Sequence, residues 1–325
     1  MTDYDIISIL KTKVPNLNFV FEDQKCIELS FEVDEFFGSS LRLVDNEIKK
    51  SVLLNIVELR FLRVLNLRKS LVGEIPQEFE NLRNLEELNL GSNNLKEIPR
   101  GILSLTRLRK LFLGSNSLTI IPQELFLLSN LESLHLHKNP IDVLPDMFDK
   151  LCNLEICHLY LSMIKDYPMS IFKCLKLKQI SFGFNDFNYL PREIQNLKDL
   201  EYFTLICSKL NSLPEEFTTL KKLKGVRLYK NDLMELPMNI GNLESLEQFS
   251  LCQNQLSKLP QSFYDLKNIE LLNLSSNKLH LNIAEFGGFT KLRWLSVYNN
   301  ASVKNCEKFN SSSSLILNEG DLWFR

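Results

Sequence analysis

Nine of the eleven prolines in this chain stand 23 residues apart without a slip: Pro76, Pro99, Pro122, Pro145, Pro168, Pro191, Pro214, Pro237 and Pro260. A period kept over about 185 residues means one small unit stacked on copies of itself, since a unit of that size cannot bury its apolar face alone. Around each proline the same template recurs, as in Leu85-x-x-Leu88-x-Leu90-x-x-Asn93-x-Leu95-x-x-Ile98-Pro99-x-x-Ile102-x-x-Leu105. Its Leu-x-Leu stretch alternates with period two and predicts one short strand per unit, and strands one repeat apart must lie parallel.

The template L-x-x-L-x-L-x-x-N-x-L resembles the leucine-rich repeat family. The resemblance covers residues 41–300 and implies an α/β solenoid: a curved arc with a concave parallel β-sheet and short helical or 3-10 turns on the convex side. The ladder position holds Asn93, Asn116, Asn139, Ser162, Asn185, Ser208, Asn231, Asn254, Asn277 and Asn300, with Ser70 ahead of them. An inward amide there satisfies backbone groups that leave the strand, and a serine does so less completely. After each proline, apolar residues three and six positions on predict a short turn, with proline at its first helical position.

We divide the chain into a helix and hairpin cap (1–40), about twelve repeats (41–300) and a C-terminal tail (301–325). The cap rests on a helix carrying Ile6, Ile9 and Leu10, and on two alternating runs, Leu17, Phe19, Phe21 and Ile27, Leu29, Phe31, on either side of Glu22 to Lys25. Such ends shield the terminal core and strand edge. Leu41-x-Leu43-x-x-Asn46-x-Ile48 reads as a degenerate first repeat. The apolar stretch Leu315 to Leu317 has no assigned role.

A net charge of −2 argues against a nucleic-acid binder, and no apolar run approaches membrane-spanning length. Seven scattered cysteines fit reduced thiols in the cytoplasm rather than a disulfide framework; Cys157 and Cys174 fall on core positions, Cys207 and Cys252 on outward ones. Asn273, Asn300 and Asn310 open Asn-x-Ser sequons that we read as chance. No phosphate loop, kinase signature or nucleophile elbow occurs. The chain is therefore expected to be non-catalytic, without a cofactor or resident metal.

The positions flanking the strand leucines point to the concave face, where partner binding is expected through Phe112, His135, His137, His158, Tyr160, Phe184, Tyr202, Arg227, Tyr229 and Lys230. Exposed aromatics beside arginine are the composition of binding hot spots. The bland alternative is cross-strand stacking. Those positions also hold Arg68, Lys69, Lys110 and Lys138 against the single acid Glu87, which suits an acidic partner. His135, His137 and His158 are near enough on adjacent strands to surround a zinc ion, but no acid or cysteine stands among the nearest concave positions, so we assign them to partner binding. The unbroken 23-residue form is similar to intracellular Ras-group leucine-rich repeat scaffolds, which implies a small GTPase or a phosphatase as partner, and to immune-type arrays of plants and microbes. A metal-dependent enzyme using the histidines, or a secreted recognition module, are the other classes kept open.

Overall fold

The computed structural model describes residues 1–14, 17–31, 33–34, 38–39, 45–304 and 316–317. The chain divides into two compact units, Met1–Cys174 and Leu175–Arg325.

The first unit opens with the helix Asp3–Lys13, capped by Thr2 and Asp5. The Thr2 hydroxyl accepts from the Asp5 amide at 3.2 Å while the Asp5 carboxylate accepts from the Thr2 amide at 2.7 Å, satisfying two helix-end donors at once. The helix buries Ile6, Ile7 and Leu10; Ile9 is only half-buried, so the apolar stripe is rotated from the expected one. The hairpin Leu17–Glu22 with Lys25–Phe31 follows, joined through Asp23 and Gln24, both in the left-handed region (φ 48° and 63°). Pairing skips Ile27, since Val20 faces Glu28 and Phe21 faces Cys26. That bulge moves the buried set from Ile27 to Cys26, next to the expected Leu29 and Phe31.

The degenerate repeat expected at 41–48 lies partly outside the described residues, and its remainder is helical. Asn46 and Ile48 belong to the helix Asn46–Ile56, capped by the Asp45 carboxylate on the Ile48 amide at 2.8 Å. This helix buries Val52, Leu53 and Ile56 and meets the first helix, where the Lys13 ammonium donates to the Ser51 hydroxyl at 2.6 Å. The hairpin's second strand then pairs in parallel with Val64–Asn66, which continues in register to Glu87–Asn89, Lys110–Phe112, Ser133–His135 and Ile156–His158. The hairpin thus covers the repeat sheet's first edge. Each strand buries its central residue (Leu65, Leu88, Leu111, Leu134, Cys157) and the residue two further on (Leu67, Leu90, Leu113, Leu136, Leu159).

The second unit repeats this plan through Gln179–Ser181, Tyr202–Thr204, Gly225–Arg227, Gln248–Ser250, Leu271–Asn273 and Trp294–Ser296, all parallel. Ile316–Leu317 pairs with Trp294 and Leu295 as a last strand, which gives the unassigned tail stretch a place in the sheet. Among the described residues, short 3-10 turns and the single-turn α-helix Arg100–Leu103 run opposite the strands of their own unit. Seven of the nine repeat prolines sit one residue earlier than expected, as N-caps with extended ψ, while Pro145 and Pro237 stand two residues ahead of the N-caps Met147 and Asn239; Pro76 has ψ 148° and its carbonyl accepts from the Phe79 amide at 3.1 Å. Proline serves there because an N-cap contributes a carbonyl and not an amide hydrogen to the turn.

The ladder works as expected where it is asparagine. The Asn93 amide donates to the Leu67 and Leu90 carbonyls at 2.9 and 2.8 Å, and its oxygen accepts from the Ser70 and Val72 amides at 3.0 Å. Serine falls short, because the Ser162 hydroxyl is buried with no hydrogen-bond partner. Just before each ladder residue the backbone is left-handed: Lys69, Ser92, Ser115, Lys138 and Leu161 in the first unit and Phe184, Cys207, Lys230, Gln253, Ser276 and Asn299 in the second all have φ between 50° and 59°. The amides of Lys69, Ser92, Ser115 and Lys138 in the first unit, and of Phe184, Cys207, Lys230, Gln253 and Ser276 in the second, are held by the next repeat of the same unit, as Ser92 by the Gly114 carbonyl and Lys138 by that of Tyr160 (2.8 and 2.9 Å), so stacking imposes a conformation these side chains disfavour.

Candidate functional site

The first unit brings five of the expected residues into one patch on the open sheet face. Register places Phe112, His135 and His158 side by side on consecutive strands. Their rings touch in sequence, with centroids 4.5 Å apart for both the Phe112–His135 and the His135–His158 pair. Two residues further along each strand a second row forms from Gly114, His137 and Tyr160. His137 stacks on Tyr160 at 4.6 Å with planes 7° apart. On its other side it lies over Gly114, where any Cβ would come within 2.4 Å of the imidazole. The two rows make a tiled surface of three imidazoles walled by Phe112 and Tyr160.

This packing sets the protonation of the patch. Burial, followed by the neighbouring imidazoles of His158 and His137, holds His135 down at about 3. Burial, His158 and the cations Lys138 and Arg68 bring His137 to about 4. Burial also lowers His158 and raises Tyr160. All three histidines are therefore neutral near pH 7, each with a lone pair to offer. One ring nitrogen from each can be chosen so that all three lie within 4.8 Å of one another. The outer support that looked absent from sequence is present in part: the Ser133 hydroxyl sits 2.8 Å from His135 Nε2. Ser133 precedes the strand's central leucine by one residue, and its hydroxyl in a row of bulkier neighbours was the available signal.

The other expected residues, Phe184, Tyr202, Arg227, Tyr229 and Lys230, lie on the second unit. Phe184 and Tyr202 are exposed at 42% and 40%, with the Tyr202 ring over Gly225. Arg227 and Lys230 are exposed and Tyr229 half-buried. Of the basic residues, Lys110 pairs with Glu87 at 2.9 Å, and Arg68, Lys69 and Lys138 are the first unit's other expected cationic side chains on this face. Pairs such as Arg109–Glu132 (2.7 Å) and Lys224–Glu201 (2.8 Å) join matching positions of consecutive repeats, a regularity the repeat alignment could have revealed.

Cys252 departs from its expected outward place: it is buried at 3%, 3.8 Å from the Ser250 hydroxyl. Cys26, Cys152, Cys157, Cys174, Cys207 and Cys252 are all free thiols. Asn273 is buried and accepts from the Ser275 hydroxyl at 2.6 Å, and Asn300 serves the ladder, so neither can carry a glycan in the folded chain; Asn310 lies outside the described residues. Among the described residues no helix is long and apolar enough to cross a membrane.

Three family models match: a leucine-rich repeat region over residues 40–158, a BspA-type leucine-rich repeat region over 115–224 and a leucine-rich repeat over 244–301. No curated protein matches. Among solved structures, an internalin (InlF) of Listeria monocytogenes aligns with TM-score 0.71 at 23% identity, covering 82% of this chain and 83% of its own. The plant peptide hormone receptor RGFR1, in complex with RGF2, aligns with TM-score 0.67 at 29% identity over 75% of this chain. Toll of Drosophila, in complex with Spatzle, aligns with TM-score 0.67 at 28% identity over 76%. The alignments span 41% and 34% of those two chains.

Proposed function

Because the chain is a leucine-rich repeat protein, we propose that it is a non-catalytic scaffold that takes a protein partner on the open face of its sheet. The observation that carries this reading is the tiled patch of Phe112, His135, His137, His158 and Tyr160, which spends five half-buried or ring-stacked side chains on a face the fold itself leaves uncovered. Neutral imidazoles and aromatic faces shed water cheaply, and their mutual stacking removes the rotamer entropy that a partner would otherwise have to freeze. RGFR1 and Toll are each seen in complex, with RGF2 and Spatzle, which supports a binding role for a related array. Arg68, Lys69 and Lys138 in the first unit, and Arg227 and Lys230 in the second, favour an acidic partner.

The finer setting is cytoplasmic signal transduction, with a small GTPase or a phosphatase as the partner class. Free thiols at every described cysteine suit a reducing compartment. Affinity capture with the wild-type chain and with Tyr160→Ala, followed by mass spectrometry, tests the reading. A GTPase or phosphatase enriched by the wild type and lost in the variant supports it; equal capture by both moves binding off this face.

A further inference from the structure

The geometry points to a metal site: His135, His137 and His158 hold a divalent late first-row transition ion of the zinc class through three imidazoles, with a fourth position open to solvent. One ring nitrogen from each already lies within 4.8 Å of the other two. An ion bound at about 2.0 to 2.1 Å in tetrahedral geometry asks for nitrogens about 3.3 Å apart, so side-chain rotation of roughly 1.5 Å closes the set. His135 and His158 are held in register by backbone pairing between their strands, so the closing movement falls on the side chains.

Two features distinguish this cluster from a fortuitous gathering. The Ser133 hydroxyl occupies His135 Nε2 at 2.8 Å and so leaves Nδ1 as the nitrogen that can ligate. His137 Nδ1 is buried without any hydrogen-bond partner, a cost that a metal bond would remove. Imidazole-only ligation suits zinc, copper, nickel and cobalt rather than calcium or magnesium, which take oxygen ligands. Arg68 and Lys138 act against a dication at His137, and both side chains can turn toward solvent.

The test uses the ion alone and is independent of any protein partner. The metal-free full chain is titrated with Co²⁺, read by visible absorption, and with Zn²⁺, read by calorimetry. The expected result is one ion per chain and the intense visible bands of a tetrahedral cobalt site with nitrogen ligands. His158→Ala should abolish both signals. Ser133→Ala, which retains all three ligands and serves if His158→Ala does not fold, should weaken binding about 10- to 100-fold. His280→Ala, at the histidine outside the cluster, should change nothing. A near-ultraviolet thiolate-to-cobalt band would assign the ion to cysteine and overturn the proposal, as would binding unaffected by Ser133→Ala and His158→Ala, or no binding by the wild type.

Discussion

The His137 imidazole occupies the space above Gly114 that a side chain would need: a Cβ at position 114 would lie 2.4 Å from one ring carbon and 2.5 Å from Nε2. Glycine is required there for close approach rather than for an unusual backbone angle. Gly114→Ala should expel the ring from its stack with Tyr160 and destabilise the fold by about 1 to 3 kcal/mol through overpacking. Ring-to-ring nuclear Overhauser contacts between His137 and Tyr160 report the result. Contacts that persist at unchanged stability would mean the strand shifts instead of the ring.

Asn231 makes four ladder bonds: its amide donates to the Leu205 and Leu228 carbonyls at 2.7 and 3.0 Å, and its oxygen accepts from the Ser208 and Leu210 amides at 3.2 Å. Asn231→Ala leaves those groups buried and unpaired and should cost about 1 to 3 kcal/mol in a urea melt. Asp232→Ala, at the exposed next residue, should be nearly silent. Equal costs at the two positions would place the ladder out of register.

Ser162 is the complementary case, since its hydroxyl is buried without a partner where the repeat elsewhere has asparagine. Ser162→Asn would offer an amide to the Leu136 carbonyl, which already accepts from Asn139 at 2.9 Å just as Leu113 accepts from both Asn116 and Asn139. A gain of about 0.5 to 1.5 kcal/mol is expected. A lower urea midpoint would show that the surrounding turn has rebuilt itself around serine, as the bond from the Ile141 amide to the Asn139 carbonyl already hints.

How far the sequence can be read here depends on whether a feature recurs with the period. Strand positions, buried leucines and the asparagine ladder repeat every 23 residues and follow from spacing alone. The left-handed backbone recurs just as strictly, yet Lys69, Ser92, Lys138 and Phe184 carry no glycine or asparagine signal, because the bonds from the neighbouring repeat and not the residue itself choose the conformation. Outside the array single events decide: the bulge at Ile27 exchanges the buried face, and the Asp45 cap starts a helix where Asn46 and Ile48 imitate a repeat. Of the site, alternation supplies the faces of His135 and His158, while the Gly114 seat and the Ser133 bond depend on side-chain packing between strands.

Acid should weaken the first unit through its histidines. Their folded pKa values lie below the ordinary one of about 6.5, with His135 at about 3 and His137 at about 4. The unfolded chain therefore takes up protons that the folded chain refuses, so stability is constant above about pH 6.5 and falls as the pH drops toward 4 and 3. Urea midpoints of metal-free protein measured from pH 7.5 to 4.5 should fall less in His135→Gln than in the wild type. Parallel slopes would place the acid sensitivity elsewhere.

Binding on the open face makes the last demand. Tyr160→Ala removes the ring that stacks on His137 and should weaken the partner complex by about 2 kcal/mol or more if Tyr160 is a hot spot, with little effect on folding because Tyr160 lies outside the leucine core. Salt should slow association with an acidic partner, since Arg68, Lys69 and Lys138 contribute steering that ions screen. Charge reversals on the turn side serve as the control, and the structure selects which acids can be used. Glu215 is unsuitable, because its carboxylate accepts from the Met238 amide at 2.7 Å and supports the next turn. Glu124 and Glu193 are exposed and free of such a duty among the described contacts, so Glu124→Lys with Glu193→Lys should leave binding unchanged. Surface plasmon resonance against the captured partner decides between the faces: loss of binding in the reversed pair, with Tyr160→Ala binding normally, would assign the interface to the turns.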